Sequence, residues 1–459
     1  MTLRFPYAVR DFEKIIRDGH IYLDRTHYIP VMENWGYELL LMRPRRFGKS
    51  LWLSTLMNYY DVAKADEFEQ LFGALAVGQE PTPLHNSYLV MRWDFSRVSP
   101  QGSIEQIQES LNNHVNSRIH IFQQDYGEQL VFPFRIDPDD ALTSFDALVN
   151  VVRQSGQKLY LFVDEYDNFA NEIMMASSQG RRSGMQQRYL DLVKGEGIFK
   201  TFFKNLKSAG SGDGLERIFM TGVSPIVLND VTSGANVFQN ITWEPEFNEL
   251  CGFTAAEIRG LAQEVVEACQ LPAHHVEQIV SLMYNYYNGS RFIDEYEDAQ
   301  EGTKEVPKVY NPTLALYFFD HFQRKCRYPK QIIDENLVPD DSKLAYIAGF
   351  EQGKALLENV LSAEKTVSVQ TLRRNFGVRD LFDHTLQQDG LAVLLCYLGG
   401  LTSSGDLPDG GNTLEIPNLV MRKLYAERIL AQMTQHDNAK IDAAHLHTRQ
   451  PASSLSRAR

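Results

Sequence analysis

Residues 39–53 read LLLMRPRRFGKSLWL, and the architecture of the chain turns on this stretch. Leu39 to Met42 is a compact apolar run with the length of a buried strand. Beyond Lys49, apolar residues recur at Leu53, Leu56, Met57 and Tyr60, which is the spacing of one helix face. The triplet Gly48-Lys49-Ser50 therefore sits between a strand and a helix, behind a turn that carries Arg43, Arg45 and Arg46.

A strand, a tight loop and a helix in this order can cradle phosphate. Successive backbone N–H groups point into one concavity, and the helix N-terminus favours an anion. In such a loop Lys49 would reach the outer phosphates and the Ser50 hydroxyl would hold Mg²⁺, while Gly48 lets the backbone approach closely. The full pattern, G-x-x-x-x-G-K-[ST], is broken at its first position, where Arg43 stands. A solvated basic turn fits the triplet as well, so the rest of the chain has to decide.

Three further apolar runs read as strands: Tyr88 to Trp93, Leu159 to Val163 and Arg217 to Met220. Between them Ile104 to Phe122 and Ile198 to Leu206 read as helices, and residues 176–184 (ASSQGRRSG) as a loop. Helices interleaved with compact apolar strands predict an α/β fold with a mostly parallel sheet covered on both faces. Ahead of the loop, a short helix is expected at Asp11 to Arg17, and IYLDRTHYI (21–29) alternates like a strand.

The third strand ends in Asp164-Glu165. Phosphoryl transfer needs a carboxylate on the magnesium ion and a group that orients the attacking water. Asp164 suits the first role and Glu165 the second. The fourth strand delivers Thr221 to the same sheet edge, where a hydroxyl can sense the terminal phosphate. Open α/β sheets bind ligands at the carboxyl ends of their strands, and all these groups lie there. Each feature alone also reads as an ordinary strand end; their conjunction points to a nucleotide. Arg45 and Arg46 would neutralise phosphate charge or hold an acidic partner.

Composition is that of a soluble globular protein of two or three domains: 459 residues, 43% hydrophobic, 23% charged. A formal net charge of −14 argues against wholesale nucleic-acid binding. Cys251, Cys269, Cys326 and Cys396 are far apart, without CxxC or His at metal spacing, and read as free buried thiols in a reducing cytosol. The charged N-terminus is not a secretory signal, and no run reaches the ~18 apolar residues of a membrane span. A cytoplasmic protein without membrane contact is expected.

Past residue 250 the pattern becomes helical, with helices expected at Thr254 to Cys269, Ala273 to Tyr287 and Asn311 to Phe322, and an acidic insert at 293–306. LAVLLCYLGGLTSS (391–404) and NTLEIPN (412–418) read as a helix leading into two short strands, as in a winged helix. The tail 448–459 is poor in apolar residues and reads as disordered. No internal repeat is evident.

RPRRFGKSLWLSTL (43–56), YLFVDEYD (160–167), FMTGVSPI (219–226), YNGSRF (287–292) and VYNPTLAL (309–316) together resemble the AAA-ATPase-like family of P-loop proteins. That family is similar to the signal-transducing ATPases with numerous domains. The leader DFEKIIRDGHIYLDRTHYI (11–29), with Asp24, Arg25 and Thr26, shares the resemblance, which covers roughly residues 7–430. In that family the arginine-rich loop lacking the first glycine is the usual form. The resemblance implies ATP and Mg²⁺. It places Arg45, Arg46, Phe47, Gly48, Lys49, Ser50 and Leu51 at the nucleotide, Ser50 and Asp164 at the metal, and Lys49 and Glu165 in catalysis. Arg291 would be a second phosphate sensor, although Ser290 replaces the family's usual aromatic residue. Many members end in a PD-(D/E)xK nuclease; no such spacing follows residue 430, and a nuclease-lacking or truncated member is expected.

The predicted organisation is a P-loop NTPase domain (1–250), a helical lid region (251–334), a winged-helix-like domain (335–435) and a tail (436–459). Three functions remain open at this point. One is a magnesium-dependent ATPase switch with a protein partner. The others are an ATP-binding interaction module with negligible turnover and a nucleic-acid-associated defence component, for which LRRNFGVRD (372–380) supplies basic residues.

Overall fold

The computed structural model describes residues 3–168, 201–204, 206, 214–225, 238–293, 307–332, 347, 350–362, 366–370, 372, 387–407 and 411–427. The expected loop at 176–184, the acidic insert beyond Ile293, the basic segment 373–380 and the tail lie outside them.

Five parallel strands form the main sheet: β1 (Glu38–Met42), β2 (Leu89–Asp94), β3 (Leu159–Asp164), β4 (Leu215–Gly222) and β5 (Gln239–Asn240). Their order is β2-β3-β4-β1-β5. All six residues of β3 are buried, as expected for a central strand covered on both faces. Four of the strands match the apolar runs. The two-residue β5 does not, because QN has no apolar signature; it is placed by pairing Leu39 with Gln239 and Leu40 with Asn240.

Strand order decides which chemistry meets. β4 lies between the loop strand β1 and the acid strand β3. Leu41 pairs with Thr221, and Val163 with Met220, so Asp164 and Thr221 emerge side by side at the carboxyl edge. Asp94, at the end of β2, pairs with Asp164.

Around the sheet run α1 (Phe12–Arg17), α2 (Tyr28–Trp35), α3 (Lys49–Tyr60), α4 (Phe68–Phe72), α5 (Ala76–Gln79), α6 (Ile104–Tyr126) and α7 (Ala141–Gln154). Thr201 to Lys204 is helical, within the expected 198–206 helix. A capping box of Ser103 and Gln106 starts α6. The predicted strand at 21–29 does not form. Asp24 takes hydrogen bonds from the backbone N–H and hydroxyl of Thr26, both at 2.7 Å, and from Ala76 N–H at 2.7 Å. This turn bends the chain into α2, and local side-chain bonding overrides the alternating pattern.

Beyond the sheet, α8 (Ala255–Ala268), α9 (His274–Tyr287) and α10 (Pro312–Lys325) share a separate apolar core that includes Ile258, Val265, Ile279, Met283 and Phe318. No disulfide was expected, yet Cys269 and Cys326 are bonded, with Cα atoms 5.5 Å apart. They cap the C-termini of α8 and α10. Packing of these helices brings together two ends 57 residues apart, which sequence spacing cannot show. Cys251 and Cys396 are free and buried, as expected.

The C-terminal part holds α11 (Glu351–Leu361), α12 (Gln387–Tyr397) and an antiparallel sheet of β6 (Thr366–Val369), β8 (Asn412–Glu415) and β7 (Thr402–Asp406), in that order. The helix and two strands match the expectation; β6 is additional. Residues of this part, among them Leu391, Leu395 and Leu414, join the main core. No helix among the described residues is long and apolar enough to cross a membrane.

Candidate functional site

The turn after β1 enters α3 through Gly48, at φ 95° and ψ 6°. Any side chain other than glycine would strain this backbone, although a Cβ would meet nothing within 4 Å. Arg46 also has a positive φ of 70°. Lys49 is buried, and its ammonium donates to the carbonyls of Arg43 (2.8 Å) and Pro44 (3.1 Å). Burial lowers its pKa, against the opposing pull of Asp164, Glu165 and Asp167.

Arg43, at the position of the missing glycine, does not face the cleft. Its guanidinium is buried and donates to the carbonyls of Met42 (2.9 Å), Thr242 (2.7 Å) and Phe247 (2.7 Å). It has no positive φ, so glycine is not required there. Arg45 is exposed and donates to Asn168 Oδ1 at 3.1 Å. The Arg46 carbonyl accepts the Thr313 hydroxyl at 2.8 Å, tying the start of α10 to the loop. Phe47 is buried edge-on against Phe292, with ring centroids 5.4 Å apart.

Both oxygens of the buried Asp164 are engaged. Thr221 donates its hydroxyl to one at 2.7 Å, and Arg92 its guanidinium to the other at 2.7 Å. Glu165 follows at φ 51°, a left-handed conformation uncommon for residues other than glycine. Burial raises its pKa, and the Asp164 charge adds to the rise. Asp167 ties the ends of β3 and β4 together, accepting from Val223 N–H (3.1 Å), Ser224 N–H (2.8 Å) and the Ser224 hydroxyl (3.2 Å).

A cleft of about 880 Å³ opens over the loop. Of the residues anticipated from sequence, Arg45, Arg46, Phe47, Gly48, Lys49, Ser50, Leu51 and Glu165 line it. Thr221 and Arg291 do not. Thr221 is fully buried with its hydroxyl on Asp164, so it positions that carboxylate instead of facing the cleft. Arg291 is buried with its backbone pinned to the Thr402 hydroxyl, which donates to its carbonyl at 3.3 Å and accepts from its N–H at 2.8 Å. Asp164 lies behind Glu165 and is likewise absent from the lining.

Sequence reading missed several contributors. Pro6, Tyr7, Ala8 and Val9, with Ile21, Tyr22 and Leu23 of the leader and Leu314 and Leu316 of α10, add mostly apolar surface to the same cleft. Gly399, at φ 76°, lies so close to Pro44 that a Cβ there would come within 2.9 Å of its ring. The Gly-Gly pair at 399–400 was legible as a turn; that it packs on the loop was not. A magnesium ion would find the Ser50 hydroxyl in the cleft, and the Asp164 carboxylate once it gives up Thr221 or Arg92; both are hard oxygen donors. Among the described residues no group of three or more His, Cys, Asp or Glu could hold a metal by itself. This donor set fits an ion that a nucleotide's phosphates also hold.

Residues 6–232 match the profile of a family described as Predicted AAA-ATPase. A curated relative, an uncharacterized protein in the vnfD 5′ region of Azotobacter chroococcum mcd 1, is 25% identical over 326 residues, covering 69% of this chain and 52% of its own. The chain thus spans about half the length of that relative. Among solved structures, a Walker-type ATPase of Pyrococcus abyssi aligns over 88% of this chain and 96% of its own, at 14% identity and a TM-score of 0.47. Cdc6p from Pyrobaculum aerophilum aligns over 92% and 98%, at 11% identity and a TM-score of 0.31.

Proposed function

Since residues 6–232 belong to the predicted AAA-ATPase family, we propose that this chain binds ATP with Mg²⁺ in the cleft over the loop and hydrolyses it, acting as a nucleotide-driven switch. The observation that carries this reading is the convergence of Gly48, Lys49, Ser50 and Glu165 on one cleft.

Each residue has a derivable task. The N–H groups at the start of α3 bind phosphate oxygens, favoured by the helix dipole. Lys49 leaves the carbonyls of Arg43 and Pro44 to reach the outer phosphates; exchanging neutral acceptors for anionic ones is favourable. Ser50 and Asp164 would hold Mg²⁺, which would supply positive charge against the phosphates. Thr221 and Arg92 keep the Asp164 carboxylate in place. Glu165, with its raised pKa, orients the attacking water and takes up its proton. The apolar side chains that line the cleft suit the base.

The switch reading rests on contacts between the loop and distant elements. Thr313 of α10 holds the Arg46 carbonyl, and Gly399 packs on Pro44. A loop rearranged by phosphate would move both, and with them the winged-helix-like C-terminal part and whatever protein partner it meets. A second reading, ATP bound but scarcely turned over, draws support from the engagement of Lys49 and Asp164 by protein groups. Phosphate release from ATP, with and without Mg²⁺, separates the two. Magnesium-dependent turnover should vanish in Lys49→Ala and Glu165→Gln. Turnover that survives in both would refute the assigned roles, and absent turnover with retained ATP would favour the second reading.

A further inference from the structure

Arg43 stands where the phosphate-loop pattern has its first glycine, and it is 1% exposed. Three backbone carbonyls, from Met42, Thr242 and Phe247, receive its guanidinium. The Phe292 ring lies 4.1 Å from its central carbon, in cation–π geometry. Among the described residues no carboxylate pairs with it. Burial lowers its pKa to about 10, which leaves it charged at neutral pH.

A cation buried without a counterion is costly, because peptide dipoles offset desolvation without cancelling the charge. A neutral residue would fill the same space at lower cost, so packing alone does not account for it. The residue is also part of the loop: its own carbonyl accepts the Lys49 ammonium at 2.8 Å. An anion in the loop would be the counterion that the described residues do not supply.

We propose that Arg43 is a positioning residue for the phosphate site, a buried cation behind the loop that attracts the ligand's phosphate charge and anchors the loop's entry to residues 242–247. The assignment rests on the ATP reading above. Two consequences follow. Neutralising Arg43 costs more affinity the more phosphate charge the ligand carries. Restoring the glycine of the general pattern weakens binding, because the anchoring and the charge are lost together.

The test measures AMP, ADP and ATP binding to the full chain by calorimetry, for the wild type and for Arg43→Met, Arg43→Lys and Arg43→Gly, with circular dichroism as a check on folding. A unit charge some 10 Å away through a protein-like dielectric changes affinity about tenfold. Arg43→Met should therefore lose about tenfold for ATP, less for ADP and least for AMP, and Arg43→Lys should recover most of the ATP-to-AMP ratio. Equal losses for all three ligands in a folded Arg43→Met, or no loss, overturn the assignment alone. If Arg43→Met does not fold, Arg43→Lys carries the test: a collapsed ATP-to-AMP ratio in that charged variant overturns it. Wild-type protein that binds none of the three overturns the reading of the site, and this assignment with it.

Discussion

Arg25 of the leader is clamped to Glu257 of α8 by two hydrogen bonds of 2.5 and 2.7 Å. Their side chains are 12% and 21% exposed. Arg25 also donates to the carbonyls of Glu249 (2.9 Å) and Gly252 (3.0 Å), and Glu257 caps its own helix at Thr254 N–H (2.8 Å). Breaking a fully buried pair costs about 3–5 kcal/mol, and an exposed one about 0–1. This pair lies between those limits, so Arg25→Met should cost about 2–3 kcal/mol. Glu257→Gln keeps the cap and should cost less, about 1 kcal/mol. The assay is urea denaturation of both single variants and the double variant, with ATP affinity beside it, since Arg25 also lines the cleft. A coupling energy of about 1–2 kcal/mol is expected. Burial, the largest single influence, would raise the Glu257 carboxyl, but the Arg25 hydrogen bonds and charge together with the hydrogen bonds of Thr254 outweigh it and hold the pKa below its ordinary 4.5. The pair's contribution is therefore present above that value and fades as pH falls through the depressed pKa. Additive single-variant effects, or a coupling unchanged at acid pH, would refute the account.

Three further outcomes are expected. Gly289→Ala should destabilise by more than about 3 kcal/mol, because a left-handed φ of 112° adds strain and its Cβ would fall 1.9 Å from the Pro417 carbonyl; denaturation near wild type would contradict this. Reducing the Cys269–Cys326 bond should lower stability by about 4 kcal/mol, from chain entropy over 57 residues of separation; thiol titration before and after reduction, with denaturation curves, measures it. The acid limb of turnover should lie above the ordinary Glu pKa of 4.5, since burial and then Asp164 raise Glu165; a rate profile flat down to that value would exclude Glu165 as the proton acceptor.

How much was legible follows from the range of each interaction. The strands β1 to β4, the helices α3, α6 and α8 to α10, and the order strand–GKS–helix announce themselves through local periodicity. The order strand–GKS–helix put Gly48, Lys49 and Ser50 on a loop at the carboxyl edge of the sheet, and Arg45 to Leu51 line the cleft there. What failed was long-range or side-chain specific. IYLDRTHYI alternates like a strand, but Asp24 spends its carboxylate on Thr26 and Ala76 and turns the chain. The disulfide depends on helices α8 and α10 ending together, which no spacing encodes. Thr221 was correctly placed at the sheet edge. Whether its hydroxyl faced ligand or neighbour depended on β4 lying directly beside β3, a fact of strand order.

The same distinction explains why the broken loop pattern was ambiguous. A first glycine is needed only where the chain must take a conformation closed to other residues, and here the positive φ values fall at Arg46 and Gly48, not at Arg43. The side chain freed by that backbone points away from the cleft and ties β1 to the segment around Thr242 and Phe247, and through Phe292 to the region that follows α9. Its neighbour Arg291 is pinned in turn to Thr402 at the start of β7. Lys49, bonded to the Arg43 carbonyl, therefore sits at one end of a packed path whose other end is the C-terminal sheet. Packed contacts of this kind are one physical route by which coupling can be carried. Along that path Phe292 is the residue to truncate, because its ring touches both Arg43 and Phe47: Phe292→Ala should weaken any nucleotide-dependent change in the C-terminal part, and a change of wild-type size would refute the path.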